Sequence, residues 1–242
     1  LADRFQYSAI DSTAGGRTAI GDMDKDGRND IVMQTWGTES WLYSPTRRIF
    51  ASDGQLIIYK APNWQKQVVA DKRAFFGDEI ALNDMDGDGD LDIVTETRTF
   101  VGNLANTKVF WYENGALGPD GSWKEHLIGD ILSSEGNGGE TMFISAVDMD
   151  NDGKKDIALR TQFKAVVFYY SASGWVKKET AIAAREGGTV GDVDRDGKAD
   201  IILNGYWLKN PGVRVDNWSR YDIDSFWFTK QAITPPSDCN QS

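Results

Sequence analysis

The pattern D-x-D-x-D-G-x-x-D occurs four times without a gap: Asp22 to Asp30, Asp84 to Asp92, Asp148 to Asp156 and Asp192 to Asp200. Each copy is followed by Ile and then small or branched apolar residues: Ile31-Val32-Met33, Ile93-Val94-Thr95, Ile157-Ala158-Leu159 and Ile201-Ile202-Leu203. Short apolar runs also precede the copies: Thr18-Ala19-Ile20, Ile80-Ala81-Leu82, Phe143-Ile144-Ser145 and Thr189-Val190. Apolar runs of this length on both flanks read as strands, so each acidic copy is the turn of a β-hairpin. An EF-hand loop begins in the same way, but it runs on to a bidentate Glu and sits between helices. The glycine in each copy (Gly27, Gly89, Gly153, Gly197) stands where the turn needs positive φ.

Four carboxylates in one short loop repel one another, and water alone screens them poorly. A cation filling the loop removes that cost. Hard oxygen donors on a flexible loop suit Ca²⁺ better than zinc or copper. The expected side-chain ligands are the first, third, fifth and ninth residues: Asp22, Asp24, Asp26 and Asp30; Asp84, Asp86, Asp88 and Asp92; Asp148, Asp150, Asp152 and Asp156; Asp192, Asp194, Asp196 and Asp200. The seventh residue, Arg28, Asp90, Lys154 or Lys198, is expected to offer its backbone carbonyl, which leaves its side chain free to vary. The chain therefore reads as binding up to four Ca²⁺.

A second mark repeats independently of the aspartates. Apolar runs at Leu56–Tyr59, Lys108–Glu113 and Ala165–Tyr170 read as third strands, and each is followed by a segment that opens with Trp. Those tryptophans are Trp64, Trp123 and Trp175, with Trp218 in the same place after the fourth loop. They are expected to pack blade against blade. The first aspartates lie 62, 64 and 44 residues apart, a period that suits four-stranded units with loops of varied length. The expectation is an all-β, β-propeller-type array of four four-stranded blades, at about 18–70, 79–129, 140–182 and 188–224, each with its acidic loop. An N-terminal strand covers 4–10 and an irregular tail 226–242, all within one domain, 1–242.

The four copies resemble the calcium loops of FG-GAP or VCBS-type repeats, and the likeness runs from Thr18 to Ile223. Such repeats build the β-propellers of integrin α-subunits, fungal sugar-binding lectins and secreted bacterial polysaccharide lyases. The resemblance implies a propeller and calcium. It implies no particular activity, because the repeat is a scaffold. The resemblance implies a ring that usually closes with seven blades, so an incomplete ring is expected here. The strand at 4–10 then offers an edge for self-assembly with a neighbouring copy of the chain or for pairing with other protein.

Composition narrows the function classes. The net charge is −11, and four Ca²⁺ would supply eight positive charges, so most of the acidity belongs to the loops. No basic patch points to nucleic acid, and no apolar run reaches the length of a membrane span. The lone cysteine, Cys239, excludes an internal disulfide framework. The chain opens at Leu1 and reads as a processed one. Weak calcium loops suit an extracellular or cell-surface setting. Asn217 and Asn240 both fit the N-glycosylation pattern.

For chemistry, the sequence holds no G-x-S-x-G, no H-E-x-x-H and no phosphate-binding glycine loop. Its one histidine, His126, lies in an alternating strand beside Lys124 and Glu125 and reads as a surface residue. Arg98, Arg160 and Tyr206 follow second strands and lie near one end of the array. A long insertion holds Trp36, Trp41, Tyr43, Arg47 and Arg48, which form either a sugar-stacking, acid-pairing surface or a plug of aromatics between blades. The reading is an extracellular, calcium-stabilised module whose partner is a glycan or protein surface. The alternative is a polysaccharide-active enzyme of lyase type, or a piece of one.

Overall fold

The structure, a computed structural model, describes residues 8–35, 53–75, 79–101, 104–118, 122–133, 141–183 and 187–224. Within them the chain is all β, with sixteen strands in four antiparallel sheets of four. The first sheet joins β1 (Gly16–Gly21), β2 (Asp30–Thr35), β3 (Gly54–Lys60) and β4 (Gln65–Arg73). The second joins β5 (Ala81–Asn83), β6 (Asp92–Val101), β7 (Leu104–Leu117) and β8 (Trp123–Ser133). The third runs through β9 (Phe143–Val147), β10 (Asp156–Arg160), β11 (Lys164–Ser171) and β12 (Gly174–Ala181). The fourth holds β13 (Thr189–Gly191), β14 (Asp200–Leu203), β15 (Tyr206–Lys209) and β16 (Ser219–Asp222). Each sheet is a propeller-like blade, and in each the acidic loop joins the first strand to the second.

The middle strands explain why the sequence shows runs of apolar residues there. Every residue of β10 is buried, as are most of β3 and β11, so these strands are covered on both faces. β4, β12 and β16 remain largely accessible, and their sequences are correspondingly polar.

The chain divides into two compact units, Leu1–Ser134 and Glu135–Ser242, each holding two blades. In the first unit Met23, Val32, Leu56 and Ile58 pack with Ile93, Phe110, Tyr112 and Trp123 in one core. The Thr95 hydroxyl donates to the Gln34 side chain across these two blades, and both residues are fully buried. Phe75 bridges to Thr97, and the Arg98 amide donates to the Ala74 carbonyl at 2.9 Å, which ties the end of β4 to β6. In the second unit Met149, Ala158, Val167 and Tyr169 pack with Ile201, Leu203, Tyr206 and Trp218.

This pairing decides which of the repeated tryptophans are buried. Trp123 and Trp218 stand at the second blade of their units and lie in the shared cores. Trp64, in a first blade, is 37% exposed, and Trp175 is half-buried, with its ring edge-on to Tyr170 at 5.2 Å. The expectation that all four pack blade on blade thus holds for two of them.

Two local readings change. Residues 8–10 carry no strand, while 4–7 lie outside the described residues. Just beyond, Asp11 accepts from the Thr13 amide and hydroxyl and from the Tyr59 hydroxyl, bonds that fold the chain into a turn. By sequence, Asn114-Gly115 after the apolar run Lys108–Glu113 reads as the start of a turn, but it lies inside β7 at a register shift between Glu113 and Leu117, with Gly115 at φ 78°. The turn itself falls later, where the Gly118 amide donates to the Ser122 carbonyl. The tail, 226–242, lies outside the described residues.

The loop glycines have the expected backbone: φ is 86°, 88°, 86° and 85° at Gly27, Gly89, Gly153 and Gly197. A Cβ added at Gly153 meets nothing within 4 Å, so a side chain there is opposed by the backbone alone. Gly153→Ala is expected to cost about 1–2 kcal/mol in urea unfolding. An unchanged midpoint would show that this turn is not strained.

Candidate metal centres

Each loop is built by the same hydrogen bonds. The last aspartate, Asp30, Asp92, Asp156 or Asp200, is fully buried. Its Oδ2 accepts from the amide of the loop's second residue, at 2.9 Å from Met23, 2.8 Å from Met85, 2.9 Å from Met149 and 3.0 Å from Val193. Its Oδ1 accepts at 2.8 Å from an amide at the loop-side end of its blade's third strand, that of Ala61, Asn114, Tyr170 or Asn210. The first aspartate curls the loop around itself. Asp22, Asp148 and Asp192 accept from the amides of the fifth and sixth residues, and Asp84 from those of Gly87 and Gly89. The fourth residue is left-handed as well: Lys25, Gly87, Asn151 and Arg195 have φ of 59°, 87°, 60° and 62°.

This wiring gathers the first, third and ninth carboxylates. In Asp22, Asp24 and Asp30, one oxygen from each lies within 4.8 Å of the others; the same holds for Asp84, Asp86 and Asp92, for Asp148, Asp150 and Asp156, and for Asp192, Asp194 and Asp200. The fifth residues, Asp26, Asp88, Asp152 and Asp196, stand outside these groups. Their Oδ1 atoms accept from the amide of the seventh residue at 2.9, 3.0, 2.9 and 3.1 Å.

The electrostatics favour a cation. Burial, reinforced by Asp86 and Asp90, pushes the Asp92 carboxyl up to about 7 against two opposing backbone hydrogen bonds. Burial, with Asp150 and Asp152, pushes Asp156 up to about 6, and Asp200 is raised in the same way. The Oδ1 atoms of Asp90 and Asp150 are buried without a hydrogen-bond donor. Side-chain cations already approach the third carboxylate in three loops: Lys60 lies 3.5 Å from Asp24, Arg214 Nε 2.6 Å from Asp150, and Lys209 pairs with Asp194. The donors are all carboxylate oxygen, and the groups as built can hold a hard metal ion.

Other candidates resolve differently. Arg160 is fully buried and donates to the carbonyls of Thr161, Ala183 and Gly187, so it holds backbone. Arg98 and Tyr206 are also buried, with the Arg220 guanidinium 4.1 Å from the Tyr206 ring. His126 stacks on Trp111 at 4.0 Å, and its Nε2 lies 2.6 Å from Glu113 Oε2. Asn217 is exposed at φ 59°. Trp36, Trp41, Tyr43, Arg47, Arg48, Cys239 and Asn240 lie outside the described residues. Sequence reasoning passed over Asn114 and Asn210, whose side chains reach two loops each; the signal was an Asn directly after the third strand, taken for turn chemistry.

Residues 148–203 match the FG-GAP-like repeat. The chain carries an FG-GAP-like repeat. A search of curated proteins finds no match. Among solved structures, the rhamnogalacturonan lyase YesW is similar at 15% identity and TM-score 0.52, over 84% of this chain and 43% of that one. The exotype rhamnogalacturonan lyase YesX matches at 14% identity and TM-score 0.52, over 83% and 40%, and Bacillus licheniformis rhamnogalacturonan lyase PL11 at 16% and 0.50, over 82% and 41%. Likeness at this identity shows the β-propeller-like fold alone. The chain spans about two fifths of the length of these enzymes.

The raised carboxyls set a pH dependence. A group whose folded pKa lies above its unfolded value stabilises fully below the unfolded value and loses that contribution as pH rises through the folded one. For Asp92 and Asp156 the window runs from about 4 to about 7. In chelator, the chain is expected to become less stable as pH rises across that window. Thermal melts that rise steadily from pH about 4 to about 7 would contradict the assignment.

Proposed function

We infer that the chain is an extracellular, calcium-stabilised β-propeller module that presents a binding surface to a glycan or to another protein. The observation that carries this reading is the carboxylate group of three aspartates recurring at the same corner of all four blades. Calcium there would be held by Asp22, Asp24 and Asp30, by Asp84, Asp86 and Asp92, by Asp148, Asp150 and Asp156, and by Asp192, Asp194 and Asp200. The fifth aspartates and the carbonyls of Arg28, Asp90, Lys154 and Lys198 complete the candidate donors. The ion supplies charge neutralisation to a loop that otherwise confines like charges. The chain's own residues do the rest: the ninth aspartate fixes the loop to the third strand, and the first winds the turn. Loops of this kind fill at the calcium levels found outside cells, which supports the extracellular setting. Asn217 is exposed and would be open to glycosylation there. No helix among the described residues is long and apolar enough to cross a membrane.

Metal binding to the folded state alone adds directly to stability. EDTA is expected to lower the melting temperature, and Mg²⁺ to restore little of it, because Mg²⁺ demands near-ideal octahedral geometry and gives up its waters reluctantly, which suits a flexible carboxylate loop poorly. Asp148→Ala should remove one site and lower the calcium-loaded melting temperature by about 5–10 °C when calcium stands about a hundredfold above its dissociation constant. Identical melts with and without EDTA would overturn the calcium reading.

The likeness to three rhamnogalacturonan lyases favours a second reading, in which the chain is part of a polysaccharide lyase. Such an enzyme needs a base beside a uronate and a cation to neutralise its carboxylate. Incubation with rhamnogalacturonan and other acidic polysaccharides separates the two. The module reading expects no absorbance from unsaturated uronate, and its appearance would establish the lyase.

A further inference from the structure

In each two-blade unit an asparagine at the loop-side end of the second blade's third strand joins the two acidic loops with its side chain, and in the second unit Asn151 also links them, donating to the Gly197 carbonyl at 3.0 Å. In the first unit the Asn114 amide nitrogen donates to the Met23 carbonyl at 2.7 Å and to the Leu91 carbonyl at 3.2 Å. Met23 is the second residue of the first loop, and Leu91 the eighth of the second. In the other unit the Asn210 amide nitrogen donates to the Met149 carbonyl at 2.6 Å and to the Ala199 carbonyl at 2.9 Å. Those are the same two positions, in the third and fourth loops. A carboxamide nitrogen carries two hydrogens, and both are spent.

The bonds continue into both metal groups. The peptide that offers the Met23 carbonyl lies beside the Met23 amide, which donates to Asp30. The backbone amide of Asn114 itself donates to Asp92. Met149, Asp156, Asn210 and Asp200 repeat the arrangement at 2.9 and 2.8 Å. A chain of hydrogen bonds therefore runs from the last aspartate of one loop to the last aspartate of the next. The corresponding residues in the first blades, Ala61 and Tyr170, give the backbone bond but carry no amide side chain.

A second observation marks the same pairs. Met23 is 3% exposed and Met149 0%, each locked in the core it shares with the next blade, whereas Val193 at this position of the fourth loop is 40% exposed. The first loop of each unit is thus clamped from both sides of its second residue, by a buried side chain and by the asparagine.

We propose that Asn114 and Asn210 are positioning residues that couple metal binding within each pair of loops, so that the first and second loops fill together and the third and fourth fill together. The coupling rests on the calcium reading of the loops. A metal that draws in Asp92 orders Asn114, and Asn114 then holds the Met23 peptide where the Asp30 carboxylate needs it. The second ion enters a loop whose ordering has already been met.

The test is a calcium titration of the isotope-labelled full chain, read at the backbone amides of Gly27, Gly89, Gly153 and Gly197. Within each pair the curves should superimpose and be steeper than a single-site isotherm. Asn114→Ala should return Gly27 and Gly89 to simple isotherms with apparent affinity lowered about fivefold or more, and leave Gly153 and Gly197 as they were. Asn210→Ala should do the reverse. Single-site curves in the unaltered chain overturn the coupling and need no variant to be seen; so does unchanged steepness in either variant. Amides that respond independently sink the coupling alone, whereas four amides that ignore calcium sink the calcium reading with it.

Discussion

One buried carboxylate per blade holds the architecture together. Asp30, Asp92, Asp156 and Asp200 each bind the start of their own loop with one oxygen and the end of the third strand with the other. Burying an isolated carboxylate is costly, and two amide donors offset only part of that cost. The remainder shows as raised carboxyl pKa values at Asp92, Asp156 and Asp200. The group is therefore a fastener that comes with a charge to be neutralised, by a proton, a nearby side-chain cation or a metal. This one constraint places the loop, the first hairpin and the third strand in fixed relation, and the acidic consensus serves the blade as much as any ion.

The basic residues around the loops belong to the same balance. Lys198 and Lys209 hold the Asp196 carboxyl down at about 2, while Asp150 draws up the pKa of Arg214, whose guanidinium lies over the Tyr169 ring at 5.3 Å. Arg214 and Lys209 come from elsewhere in the fourth blade, so neighbouring side chains supply what the loop sequence lacks. These pairs are partly exposed and individually weak in stabilising terms. Their effect is on how strongly each loop calls for an external cation.

Much of this was legible in the sequence because it is periodic. The four aspartate copies and their apolar flanks placed sixteen strands as four hairpin-led sheets, and the loop glycines placed the positive φ. The left-handed fourth residue was hidden, since Lys25 and Arg195 have side chains that usually avoid it and only Gly87 and Asn151 hinted at it. Spacing along the chain could not separate the first, third and ninth carboxylates from the fifth; that depends on which backbone amides each oxygen faces. Asn114 was misread because a bulge and a turn use the same Asn-Gly chemistry, and the choice depends on partners far along the chain. The burial of Trp123 and Trp218 against the accessibility of Trp64 and Trp175 follows from whether a blade stands first or second in its unit, which the repeats do not encode.

That last contrast means the blades come in two kinds. A first-kind blade sends a methionine from its loop into its neighbour's core and shows its tryptophan; a second-kind blade receives the methionine and hides its tryptophan. The structural period is therefore twice the sequence period. Residues 148–203, the stretch matching the family repeat, run from one loop through the next and so straddle the two kinds. An array built this way has parity. Losing the second blade of a unit would leave that unit's buried methionine with no core to receive it, whereas losing both blades removes the methionine together with its core.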